Sequence, residues 1–277
     1  MSLRLLACLC LMPACAAALT LPSEEAVPGG IKIIRLATDP SGAAQAVPPE
    51  VDADGRRVLV VQDGGDWLAI VGIPLSAPIG AHTIRVKSGN DARRIEFTVG
   101  PKQYPTQSLT VPPAQVNLSK HDLERFERER ARIDEVLSRW TDRQPDDLTF
   151  DAPVPGVRSS SYGSRREFNG EARNPHTGMD IAAPSGTAVL APAAGVVVEV
   201  GDYFFNGNTV FVDHGRGFLS MYCHLSVVDV KPGEQIAAGT QIGAVGMTGR
   251  ATGPHLHWGL VLNHAWVDPA LFVRSRK

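Results

Sequence analysis

Four residues carry the strongest chemical signal in this chain: His176, Asp180, His255 and His257. They fall in two short groups, His-Thr-Gly-Met-Asp and His-Leu-His, about eighty positions apart. Imidazole nitrogen and carboxylate oxygen are donors that zinc prefers, and a catalytic zinc keeps three protein ligands with a fourth position for water. Side chains at i and i+2 leave a strand on one face, so His255 and His257 point together while Leu256 points into core. A turn at Gly178 permits His176 and Asp180 to approach the same ion.

Three ligands suffice for one metal, so the set divides. His176, Asp180 and His257 are taken as the ligands, and His255 is left beside the metal to bind protons or substrate. His224, which closes Tyr222-Cys223-His224, is the second free histidine. Such a pair can take a proton from water, stabilise a developing oxyanion and return the proton to a leaving amine. No His-Glu-x-x-His is present, so the glutamate base of that zinc-enzyme class is absent. His82 reads as a solvent-exposed or hydrogen-bonded histidine, His121 at the helix start needs no special role, and His214 and His264 read as structural. His214 is expected in a turn hydrogen bond, and His264 in a polar turn after the last strand.

The elements that must position these residues read as mainly β. Residues 1–18 combine Arg4, an apolar run from Leu5 to Ala14 and a small-residue site at Ala16-Ala17-Ala18, the pattern of a secretory signal. The apolar run is shorter than the ~20 residues a membrane span needs. A soluble exported protein is expected, with a lipoprotein anchor as the minor alternative. Of four cysteines, only Cys223 would remain after processing, which leaves no internal disulfide. Cys223 itself reads as an inert core residue. A net charge of −2 gives no electrostatic case for nucleic acid.

Residues 19–114 read as a small β domain. Strand candidates are Ile31 to Leu36, Val58 to Gln62, Trp67 to Ile73, Thr83 to Val86 and Ile95 to Val99, separated by Gly- and Asp-rich turns. Residues 115–151 read as an amphipathic helix and a linker. Ser119 is the N-cap with Asp122 three residues on, and Leu123, Phe126, Ile133, Leu137 and Trp140 form the apolar stripe. Glu124, Arg125, Glu127, Arg128, Arg130 and Arg132 are expected on a solvated face. Residues 152–277 read as an antiparallel β domain. Its candidates are Thr187 to Leu190, Gly195 to Val200, Thr209 to Asp213, Phe218 to His224, Gln235 to Ile236, Gln241 to Val245 and Leu256 to Val261.

Across residues 152–272 the sequence resembles the lysostaphin-type (LytM-like) zinc endopeptidases, which cut peptide cross-bridges in bacterial peptidoglycan. Three blocks carry the resemblance. The first is Ser161-Tyr162-Gly163-x-Arg165 with Asn174-Pro175-His176-Thr177-Gly178-Met179-Asp180. The second is Gly207-Asn208-x-Val210 through Tyr222-Cys223-His224-Leu225. The third is Gly246-x-Thr248-Gly249-x-x-Thr252-Gly253-Pro254-His255-Leu256-His257. The resemblance implies a compact antiparallel β domain with an open groove and one zinc ion. It implies His176, Asp180 and His257 as ligands and His224 and His255 as catalytic histidines. The implied substrate is the peptidoglycan stem-peptide cross-link, D-alanyl-diaminopimelate in a Gram-negative periplasm. Some members lose ligands and only activate cell-wall amidases; that is the alternative function. The first domain resembles one that precedes the catalytic domain in some exported members, and a restraining or targeting role is expected of it. Protein regulators are possible partners that the sequence does not specify.

Overall fold

The computed structural model describes residues 19–36, 47–109 and 118–274. The leader expected over residues 1–18 lies outside the described residues. Among the described residues, no helix is long and apolar enough to cross a membrane.

The first half of the chain holds β1 (Ile31–Leu36), β2 (Glu50–Ala53), β3 (Arg56–Arg57), β4 (Leu59–Asp63), β5 (Asp66–Gly72), β6 (Gly80–Ser88), β7 (Asp91–Val99) and β8 (Thr106–Leu109). The helix α1 spans Lys120–Leu137. The second half adds β9 (Val157–Ser160), β10 (Arg165–Phe168), β11 (Glu171–Arg173), β12 (Met179–Ala182), β13 (Ala188–Leu190), β14 (Gly195–Tyr203) and β15 (Gly207–Gly215). It continues with β16 (Phe218–Val228), β17 (Gln235–Ile236), β18 (Gln241–Val245), β19 (His255–Leu262) and β20 (Ala265–Val267). The expected strands all form. Pattern reading missed the short or polar ones: β2, β3, β8, β9, β10, β11, β12 and β20.

In the first half, the order β1-β5-β4 makes one sheet and β3-β2-β6-β7 another. Ile34, Leu36, Val51, Val60, Trp67, Val71, Ile84 and Val86 form an apolar cluster from both sheets. The alternate side chains of β1, β4 and β5 do something else. Ile31, Leu59, Val61, Leu68 and Ile70 join Phe150, Phe218, Trp258, Leu260 and Leu262 in a core common to both halves of the chain. Period-two alternation thus gives this sheet two apolar faces, one for each half. Asn263 reinforces the contact: its side chain accepts from Gly72 N at 2.7 Å and donates to Gly72 O at 3.0 Å.

The main sheet runs β17-β14-β15-β16-β19-β12-β9, with β13 and β18 branching from β16 and β20 pairing β19. Leu148 and Phe150, expected in a linker, are fully buried, and Phe150 stacks on Phe218 and Phe272. Apolar side chains in a polar stretch found more burial in the common core than solvent offers.

Ser119 caps α1, its hydroxyl accepting from Asp122 N at 3.1 Å. The helix packs Val136 and Leu137 against Phe211, Leu219, Met221, Cys223 and Val261. Trp140 lies beyond the helix, under the Arg57 guanidinium, and Leu123 is exposed, so the apolar stripe is buried only at its C-terminal end. Two arginines expected in water are engaged instead. Arg132 makes a two-pronged pair with buried Glu199 at 2.7 Å on each arm, and Arg125 reaches Asp202. A guanidinium fork on a carboxylate that has left water is the strong form of such a contact.

Candidate metal centre

Strand pairing assembles the centre. On β12 and β19, Asp180 stands opposite His257 and Ala182 opposite His255. On the other side of β19, Cys223 of β16 stands opposite His257 and ends that ladder. His224 follows, where β16 leaves β19 for β18, and its φ of 62° is a left-handed conformation that a non-glycine residue rarely adopts. Its backbone N–H donates to Asn206 O at 2.8 Å, which holds the turn. His176 precedes β12 in a loop fixed by two backbone bonds, His176 N to Ser164 O at 3.0 Å and Gly163 N to His176 O at 2.8 Å.

The sequence pattern placed a turn at Gly178. The chain does bend at Gly178, and the glycine has a second duty there. A Cβ there would sit 2.7 Å from the His257 ring and 2.6 Å from Trp258 O. Gly178 is needed so that the loop can approach β19, and the strand β12 then delivers Asp180.

Three donor atoms converge. His176 Nε2, Asp180 Oδ1 and His257 Nδ1 stand 2.9 Å from one another on all three sides. His176 Nδ1 donates to Ser161 O at 3.0 Å, so its Nε2 presents a lone pair when the ring is neutral. The Asp180 carboxylate also presents only lone pairs. One N–H on His257 cannot serve three such contacts, whereas a central cation satisfies all of them. Two imidazole nitrogens and one carboxylate oxygen are the donor set of a divalent metal such as zinc. The carbonyl behind His176 is the outer partner that fixes a ligand's tautomer. Burial would raise the Asp180 carboxyl, but the two imidazoles overcome it and hold it well below the usual carboxylate range.

The two remaining histidines flank this set. The His224 and His255 rings lie 4.7 Å apart, and His224 is 6.1 Å from His257. Each has its Nδ1 occupied by a backbone carbonyl: Thr248 O for His224 and Gly253 O for His255, both at 2.8 Å. With Nδ1 donating, Nε2 of each ring is the proton-accepting atom. Burial, then the nearby His257, pushes His224 down to about 4. His255 Nε2 lies 3.9 Å from Asp180 Oδ1. All five residues singled out by sequence therefore meet in one place.

Three further contributors had no role assigned from sequence, although Ser161 and Thr248 stand in the motif blocks. Thr248 carries the carbonyl that orients His224 and ties Asn208 N to its hydroxyl at 3.0 Å. Ser161 orients His176. Arg166 places a guanidinium nitrogen 3.6 Å from Asp180 Oδ2, leaving Oδ1 for the triangle. Its neighbour Arg165, the one in the motif, is exposed and gives its backbone N–H to Pro105 O. With β10 unrecognised, the sequence did not show that Arg166, rather than the motif's Arg165, would reach Asp180. His214 also departs from expectation. It is buried, with Nδ1 on Ala194 O at 2.9 Å and Nε2 on Ser220 Oγ at 2.8 Å, so it links strands rather than closing a turn. His264 lies exposed between β19 and β20, so another strand follows it.

An antiparallel sheet that converges two histidines and an aspartate beside two oriented histidines is an arrangement suited to a metal-dependent hydrolase. Comparison with known proteins then specifies which kind. The chain belongs to peptidase family M23: the family domain matches residues 174–269, and the M23 N-terminal domain matches residues 24–102. A crystal structure from Pseudomonas aeruginosa, assigned to peptidase M23, is 42% identical with a TM-score of 0.75, covering 91% of this chain and 96% of that one. The peptidoglycan DD-endopeptidase ShyA of Vibrio cholerae is 44% identical over 105 residues, 38% of this chain and 24% of that protein. The DD-carboxypeptidase/endopeptidase Mpg of Neisseria meningitidis is 41% identical over 111 residues, 40% of this chain and 26% of that protein. The chain therefore spans about a quarter of the length of these two relatives.

Proposed function

We propose that this chain is a zinc-dependent endopeptidase that hydrolyses peptide cross-links of peptidoglycan, with D-alanyl-diaminopimelate as the bond cut. His176, Asp180 and His257 hold the ion. A zinc ion held there supplies an acidified water and a polarised carbonyl at neutral pH. His224 and His255, each with Nδ1 anchored to a backbone carbonyl, present Nε2 to accept the water proton and return it to the leaving amine. The observation that carries the reading is the three-atom convergence at 2.9 Å with two oriented histidines beside it. Relatives named as peptidoglycan endopeptidases support the substrate class. The intact five-residue set disfavours the alternative of a non-catalytic amidase activator.

Such a substrate places the protein outside the cytoplasm, and we propose export to the periplasm by the N-terminal leader. For residues 19–114 we propose a restraining or targeting role.

The test combines metal analysis with digestion of purified sacculi. Wild type should carry about one zinc per chain and release cross-linked fragments as monomers. His257→Ala should lose both metal and activity, and His255→Ala should keep the metal and lose activity. The reverse pattern would overturn the ligand assignment. Zinc binding with cross-links left intact would favour the activator.

A further inference from the structure

Both backbone carbonyls that hold His224 belong to loops braced by α1. β14 and β15 are joined by the turn Phe204-Phe205-Asn206, closed by the pair Tyr203 and Gly207. Each turn residue is anchored outside the hairpin. Asn206 O accepts the His224 N–H at 2.8 Å. Phe205 O accepts Arg250 N at 3.0 Å, from the loop whose Thr248 O holds His224 Nδ1. Two glycines let that loop and the hairpin touch through their backbones: a Cβ on Gly249 would lie 2.3 Å from Gly207 N. Turn and loop therefore form one unit around His224.

The unit is fastened to α1 at two points. Glu129 Oε2 accepts Phe204 N at 2.8 Å, while its Oε1 accepts Arg125 Nε at 2.6 Å. Phe126, three residues earlier on the same side of the helix, meets Phe205 edge-on, with ring centres 5.1 Å apart at 89°. Glu127, Arg128 and Arg130 are exposed, whereas the Glu129 side chain is only 16% exposed. A carboxylate drawn out of water is costly unless partnered. One partner here is a backbone N–H of the turn, in a charge-assisted bond. His224 needs such support, because a non-glycine residue stays in a left-handed conformation only where its surroundings over-determine it.

We propose that Glu129 is a positioning residue for His224. Through Phe204 N it fixes the turn. The turn in turn fixes the Asn206 carbonyl and, through Phe205 O, the loop that carries Thr248. The effect on turnover rests on the endopeptidase reading above; the placement of the ring does not.

Zinc-loaded, full-length protein carrying isotope-labelled histidine reads the placement by NMR. The Nδ1 proton that His224 gives to Thr248 O has its own resonance, assigned by its loss in His224→Gln. His214, with Nδ1 on Ala194 O, is the internal control for the fold. Glu129→Ala should shift the His224 signal and leave that of His214 in place. It should also lower kcat on cross-linked peptide by about 10–10²-fold with KM little changed, as a small misplacement does. Glu129→Gln keeps a side-chain oxygen for Phe204 N and should restore both readouts. Phe126→Ala cuts the second tie and should shift the His224 signal too, which keeps the test open if Glu129→Ala folds poorly. An unmoved His224 signal in either variant overturns the proposal. So does a glutamine variant that behaves like alanine, or a His214 signal that moves as far as that of His224. A shifted ring with unchanged turnover would leave the positioning role standing and remove His224 from the endopeptidase chemistry.

Discussion

The two halves of this chain are built from the same material, antiparallel strands with apolar cores, yet they differ in what they bury. Among the described residues, buried polar and charged side chains are confined to the stretch from Thr149 to Asp268. Apart from the indole N–H of Trp67, the side chains buried in the first half are apolar, and their burial is favourable. The second half buries His176, Asp180, Glu199, His214, His224 and His257, each of which is costly unless partnered. A second contrast lies inside that half. His214 and His224 are both buried and both pushed down by burial. His214 has both ring nitrogens engaged within the sheet, whereas His224 has only Nδ1 engaged by backbone. Buried polarity serves structure where every atom is satisfied, and chemistry where one atom is left to face the centre.

The strongest way to break this contrast is to remove each side's best representative. His224→Ala should keep the zinc and lower turnover on cross-linked peptide by about 10²–10⁴, the range for a positioned proton carrier. Metal analysis beside a turnover assay measures it. A variant that turned over normally would remove His224 from the chemistry.

Ile70→Ala addresses the apolar half. Ile70 is fully buried in the core common to both halves. The truncation should cost about 2–5 kcal/mol and move a single unfolding transition. Urea denaturation followed by near-UV signal and by tryptophan emission reads it. Two separated transitions, only one of them shifted, would show that the halves unfold apart despite their shared core.

The smallest effect concerns His214. Burial lowers its folded-state pKa below the ordinary 6.5. Above that value both states are neutral at this residue and its contribution is complete. As pH falls below it, the unfolded chain takes the proton first and stability is lost. Melting temperature should therefore decline on acidification more steeply in wild type than in His214→Gln. Parallel curves would mean that carboxylates alone carry the acid response.

Much of this was legible in the sequence, for identifiable reasons. Long strands such as β1, β4 and β5 carry apolar residues that any pattern reveals. The i, i+2 spacing of His255 and His257 sufficed to put both on one face with Leu256 in core. Short polar strands left no pattern: β10 is Arg-Arg-Glu-Phe, and β12 has four residues. Their pairing is decided by neighbours, and missing β12 hid the direct opposition of Asp180 and His257. The charged face of α1 looked solvated because nothing local shows that Glu199, in a distant strand, is waiting for Arg132.

By itself, then, the sequence determined which donor atoms exist and the periodicities that put them on strands, because those depend on residue type and neighbours along the chain. Tertiary structure alone decided how they are used. It set the 2.9 Å convergence, and it made Gly178 necessary for the approach to His257 as well as for the bend. It also drew the line between His214 and His224, because whether a ring nitrogen is occupied depends on carbonyls and hydroxyls that only folding brings near.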